Sequence, residues 1–134
     1  MNTWYQKLYE SKDMEEFYKV SGEIRKAIEA SPAEMMEELS TAYLEAREAA
    51  DAAGEAYKLT ENALDEAETV ENKAAAWDAY WEHRNMQACA SELYEQNNEA
   101  AYYVEFPEEV KRSKAEHEAF TAALESAAVS DDPF

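Results

Sequence analysis

The sequence predicts an all-α protein: a four-helix bundle built on a long, alanine-rich, antiparallel coiled-coil hairpin. Three observations lead there. Of 134 residues, 25 are glutamate and 26 alanine, both strong helix formers, whereas valine and isoleucine, the natural strand formers, number only five and two. Two glycines and three prolines supply too few turns for a β-sandwich or barrel. Finally, residues 36–67 carry an unbroken 3-4-3-4 spacing of apolar and small residues, the signature of a coiled-coil seam. The length fits one domain, expected over 1–129, with a frayed acidic tail at 130–134.

Four main helices are expected, at about 12–30, 32–68, 72–104 and 107–129. Trp4, Tyr5, Leu8 and Tyr9 suit a short helical lead-in. In the first main helix Met14, Phe17, Ser21, Ile24 and Ile28 define one face. The next boundary is Ser31-Pro32-Ala33-Glu34, in which serine at the N-cap, proline at the first helical position and glutamate three residues on predict a reciprocal capping box.

In the second helix Met36, Leu39, Tyr43, Ala46, Ala50, Ala53, Tyr57, Thr60, Leu64 and Ala67 occupy positions a and d, and Ala42, Ala49, Ala56 and Ala63 occupy g. Small residues at these positions predict close approach of a neighbouring helix. Gly54, at e, predicts a close contact or a bend. The seam fails after Ala67, and Thr69-Val70-Glu71-Asn72 is the expected turn. In the third helix Ala75, Ala79, Met86, Cys89, Leu93, Ala100 and Tyr103 share a face that Glu82 and Gln96 interrupt. Pro107 begins the last helix, with Val110, Ser113, His117, Phe120, Leu124 and Ala127 on one side. Short connections between these helices suit either a closed bundle or a long hairpin with flanking helices.

Charge is the main functional clue. Thirty-one acids against twelve bases give a net charge of -19. Residues 1–31 are nearly neutral at -1, residues 32–71 carry -10, and residues 72–106 and 107–134 carry -4 each. The acids of the second helix, Glu34, Glu37, Glu38, Glu45, Glu48, Asp51, Glu55, Asp65 and Glu66, fall at b, c and f, away from the seam, and are the predicted partner-binding residues. Arg47 and Lys58 are the only bases among them. So one-sided a charge excludes direct binding to nucleic acid through a basic patch and disfavours an anionic membrane surface. The excess is greater than the roughly 2–8 units that keep a small domain in solution. It suits a basic surface on another protein, one that ordinarily holds nucleic acid. The alternatives are a purely solubilising face and an adaptation to high salt. The latter fits poorly with glutamate outnumbering aspartate four to one.

The aromatics are expected mainly to plug gaps between helices, with polar tips at the rim. Trp77, Tyr80 and Trp81 crowd two turns and cannot all face the seam, which makes them the candidate aromatic hot spot. Tyr94 and Tyr102 are further candidates for exposure.

Enzymatic signatures are weak. The Glu-x-x-His pairs of di-iron bundles are missing, because Tyr80 and Lys114 stand three residues before His83 and His117. His117-Glu118 lacks the second histidine of a zinc-protease motif, and two isolated glycines build no phosphate loop. His83 is expected at the surface, His117 on a seam, and Cys89 in the core. Glu34, Glu37 and Glu38 followed by Glu48 and Asp51 are similar to the paired acids of all-α nucleotide pyrophosphohydrolases, which would imply a magnesium enzyme, although such pairs recur by chance in so glutamate-rich a chain. No catalytic residue, metal ligand or cofactor is assigned.

The expected function is therefore non-enzymatic binding of a basic partner protein, with no direct nucleic acid or membrane contact. In charge and size, though in no motif, the chain resembles the DNA-mimic inhibitors that viruses direct at restriction or CRISPR machinery. The second reading is a structural or adaptor protein assembling through its seam, as a homodimer or with a partner helix. With neither a secretory leader nor an apolar span, and with a single cysteine, the expected compartment is the cytoplasm, the host's if the protein is viral.

Overall fold

The computed structural model describes residues 2–130, with side chains through residue 127. Among them are five helices and no strand: α1 (Thr3–Tyr9), α2 (Met14–Ala30), α3 (Pro32–Glu66), α4 (Val70–Glu105) and α5 (Pro107–Ser130). The protein is all-α, and its centre is the α3–α4 hairpin, each arm running ~50 Å. Beyond Ser130 the expected tail lies outside the described residues.

Local chemistry sets most boundaries. The Asn2 side chain caps α1 by accepting from the Trp4 N–H, and Asp13 caps α2 by accepting from the Glu16 N–H at 2.9 Å. Residues 12 and 13 therefore precede the helix expected from 12. Proline does open α3, but the capping box at Ser31 does not form, for no side-chain bond is made there. One residue is shared by two helices: the Ser31 N–H closes α2 by donating to the Ala27 carbonyl, and its ψ of 72° departs from the extended geometry that aims a capping hydroxyl.

The hairpin turn sits about two residues earlier than expected, at Ala67-Glu68-Thr69. Thr69 caps α4, accepting from the Asn72 N–H at 3.1 Å. The Asn72 amide donates to the Ala63 and Ala67 carbonyls, which also accept from the Ala67 and Thr69 N–H groups, so it ties the end of α3 to the start of α4. A polar side chain here does the work a glycine would otherwise do.

The helices run antiparallel in a register marked by Ala63 with Asn72, Tyr57 with Tyr80, Ala50 with His83 and Tyr43 with Tyr94. The predicted seam is the buried side of α3. Leu39, Ala42 and Ala46 are fully enclosed, and every a and d residue from Met36 to Leu64 is at least half-buried. Ala67 is exposed, because the helix has already ended. On α4 the buried line is Ala76, Met86, Cys89, Leu93, Gln96 and Ala100, so that Ala76 replaces the expected Ala75.

A third layer covers only part of this hairpin. The common core joins Tyr5 and Leu8 of α1 and Ile24 and Ile28 of α2 to α3 and α4, and it stops at Ala50 on α3 and Met86 on α4. Met14, expected on the inner face of α2, is exposed instead. Past Ala50 the hairpin continues for ~24 Å, and among the described residues the buried cluster that joins it to α1 and α2 does not extend there. Of the two arrangements open to the sequence, the hairpin with flanking helices is the one adopted. Among the described residues α5 makes its close backbone contacts with α4, and Phe120 and Leu124 on its apolar face are exposed.

Inside the body the Gln96 amide nitrogen is paired, while its Oε1 and the Asn97 Oδ1 are buried without a hydrogen-bond partner among the described residues. Gln96, at the predicted interruption of the α4 face, donates to the Ser21 hydroxyl at 3.0 Å and to Glu92 at 2.8 Å, and Ser21 itself donates to Glu92. Glu82, the other interruption, accepts from the Tyr9 phenol at 2.9 Å. The two breaks in the apolar pattern are thus where α2 and α1 attach. The expected core position of Cys89 is met. Enclosure pushes its thiol from about 9 to about 11, with the charge of Glu82 adding to the effect. Because the folded chain holds this proton longer than the unfolded one, the thiol's contribution to stability is present below pH 9 and is lost as pH rises towards 11. Urea titrations across that range should show falling stability, with a shallower fall for Cys89→Ala, and thiol reagents should label Cys89 only on unfolding.

Candidate interaction surface

The heptad positions explain how the hairpin presents its two sides. On a helical wheel e and g flank the a/d seam on opposite sides. The g side receives the third layer: Met35 and Ala42, both at g, are buried, and at the neighbouring c positions Glu38 accepts from the Trp4 indole at 3.1 Å and Glu45 from the Asn2 N–H at 2.5 Å. Of the two g residues beyond the reach of α1, Ala56 is exposed and Ala63 is half-buried beside the turn.

This divides the predicted acidic strip. Glu38 and Glu45 anchor α1, and Glu45 is half-buried. Glu34, Glu37, Glu48, Asp51, Glu55, Asp65 and Glu66 are exposed. Glu55 has Lys58 at 3.3 Å, a surface pair of small energetic weight. The seven exposed acids lie mainly at b and f, the side adjoining e. The α3 acids similar to a pyrophosphohydrolase site all lie on one continuous helix, Glu37 and Glu48 being ~16 Å apart along its axis. Among the described residues no group of three metal-ligating side chains stands together.

The e side is open and aromatic. Tyr43 meets Tyr94 with ring centres 5.4 Å apart, Tyr57 meets His83 at 6.4 Å and Tyr80 at 5.7 Å, and Trp77 stacks on Trp81 at 6.2 Å with planes 15° apart. The seam alanines are the reason: small side chains between the helices leave the large rings no interior to fill, so they line the edge. Trp77 and Trp81 are 60% and 61% exposed, so these two rings do not plug the core as the aromatics in general were expected to, and Tyr94 and Tyr102 are exposed as well. Tyr80, half-buried, bridges the tryptophans to Tyr57.

Between the arms near the tip lies a cleft of about 450 Å³ walled by Tyr57, Leu64, Ala76, Trp77, Tyr80 and Trp81. Glu61 and Lys73 are its charged edges. Tyr57 hydrogen-bonds Glu61, which holds the phenol above the usual tyrosine range. Residues 55–82, which form this end of the hairpin, contain eight acids and two lysines.

His83 and His117 exchange their expected places. His83 is half-buried on the hairpin, its Nδ1 3.1 Å from the Ala50 carbonyl, and its ring lies over Gly54. A Cβ at Gly54 would come within 3.1 Å of that ring, so the glycine marks a close contact. His117 is exposed on α5, on the rim of a cleft it shares with Glu29, Glu99 and Tyr103. No helix among the described residues is long and apolar enough to cross a membrane. Comparison with protein-family models, with curated proteins and with solved structures found no match.

Proposed function

We propose that this chain is a non-enzymatic acidic binding protein that occupies a basic, nucleic-acid-binding surface of a partner protein, in the manner of the DNA-mimic inhibitors that viruses direct at restriction or CRISPR systems. The observation that carries the reading is the uncovered aromatic side of the hairpin, which runs directly beside the exposed acids of α3. Exposed tryptophan and tyrosine are costly to leave in water and are enriched at binding hot spots, while the acids beside them steer a cationic surface into place.

Charge density limits how far mimicry of DNA goes. Residues 32–106, the span of the hairpin, carry a net -14 over ~54 Å, about one charge per 4 Å, against one per ~1.7 Å in duplex DNA. Electrostatics alone is too sparse to displace a nucleic acid, and the aromatic contacts supply the remainder of the affinity. The adaptor reading has less to rest on, because the seam that would pair with another copy is already filled by α4.

The test is affinity capture from the native host with elution in a salt gradient, followed by a nucleic-acid-binding assay on whatever is eluted. A basic partner released by salt, and unable to bind its nucleic acid while held, is the expected result. Recovery of only neutral or acidic partners that resist salt would sink the reading.

A further inference from the structure

We propose that the cleft at the hairpin tip is a guanidinium site, which receives an arginine side chain from the basic partner and stacks it on the Trp77–Trp81–Tyr80 aromatic wall within reach of the Glu61 carboxylate. This rests on the proposed reading of the chain as a binder of basic proteins and names the side chain that the tip recognises.

Two features of this surface and one of the occupant converge. The walls are π-faces. Trp77 and Trp81 stack, Tyr80 meets both edge-on at 5.9 and 5.3 Å, and Tyr57 closes the α3 side. Ring faces attract cations, tryptophan most strongly. The cleft also contains a carboxylate at Glu61 and lies in a segment of net charge -6, so its field favours a positive occupant over an anion or a neutral apolar residue. Finally, a planar, weakly hydrated guanidinium can stack on a ring and present a fork of donors to a carboxylate, whereas an ammonium is compact and strongly hydrated. Arginine is therefore the occupant that uses both kinds of wall. Lys73, also lining the cleft, opposes any cation, which makes it a built-in control.

The experiment titrates the full-length ¹⁵N-labelled protein at low salt with octaarginine and, separately, octalysine, following the three tryptophan indole N–H signals. Octaarginine is expected to bind about tenfold more tightly and to shift the Trp77 and Trp81 indoles while leaving Trp4 in place. Trp77→Ala combined with Trp81→Ala should abolish the preference and leave a weaker, salt-sensitive affinity equal for both peptides. Glu61→Gln should lower octaarginine affinity without touching the stacked rings, and Lys73→Met should raise it by about threefold. Equal affinity for the two peptides in the unmodified protein, or an arginine preference that survives loss of both tryptophans, would overturn the guanidinium site while leaving the acidic-surface reading intact. Failure of both peptides to bind at low salt would remove the acidic-surface reading together with the cleft's role.

Discussion

Leu39→Ala is expected to destabilise the protein by about 2–5 kcal/mol, whereas Leu64→Ala, on the same face of the same helix, should cost less than half as much. Leu39 is fully enclosed where α1 and α2 join the hairpin; Leu64 is half-buried on the two-helix tip. Removing the side chain at 39 leaves a cavity in a three-layer core whose other walls are held by Ile24, Ile28 and Leu93, all without exposure. At 64 water reaches the vacated space, so the cavity term largely disappears. A small domain has only about 5–15 kcal/mol of total stability, so the first substitution removes a large share of it. Urea unfolding followed by helical circular dichroism measures both. Equal costs would mean that the tip is as well packed as the body, contrary to the arrangement described above.

The second large effect concerns binding. Reversing charge at Glu48, Asp51 and Glu55 together, each to Lys, is expected to weaken attachment to a basic partner by about 10–100-fold and to flatten its salt dependence, with little change in stability. These three acids are exposed, and they adjoin the aromatic side. Glu45 is unsuitable for this purpose although the sequence groups it with them, because its carboxylate holds the Asn2 N–H and its reversal would disturb α1. Each surface ion pair contributes only ~0.2–1 kcal/mol, but reversal replaces attraction with repulsion and three sites act together. A dissociation constant that does not move would assign the acids to solubility alone. Reversal breaks the Glu55–Lys58 surface pair and sets a lysine at 51 four residues from Arg47, but each such helix-surface pair is worth only about 0.2–0.5 kcal/mol, so the folded protein should tolerate it.

Much of this fold was legible in one dimension because α3 and α4 are governed by a local rule. A helix that buries one stripe must repeat its small and apolar residues every three or four positions, and Met36 to Leu64 do so without a break. Breaks in the pattern were legible as breaks but not as attachments. Glu82 and Gln96 interrupt the α4 face, and only the positions of Tyr9 and Ser21 reveal what they serve. The capping box expected at Ser31 does not form because its geometry needs an extended residue free of other duties, whereas Ser31 also ends the preceding helix. Both histidines were misplaced for a related reason. Periodicity shows which residues of a helix share a face and is silent on whether any other helix lies against that face. His117 sits exposed on a regular stripe of α5, and His83 lies off the stripe of α4 yet packs over Gly54 on the hairpin, where no side chain stands in its way.

By itself, then, the sequence determined the helical class, the hairpin seam and the concentration of negative charge on α3, since each follows from residue type and short-range spacing along one chain. Tertiary structure alone decided which side of the hairpin stays bare. α1 and α2 carry Tyr5, Leu8, Ile24 and Ile28 to the g side and end there, so burial is spent on one flank of the first half of the hairpin. An alanine seam too narrow to hold large rings then leaves Tyr57, Trp77, Tyr80 and Trp81 at the other edge, where they meet the acids. That meeting depends on the register between two helices and on where a third layer stops, and neither quantity is encoded in the spacing of residues along a single helix.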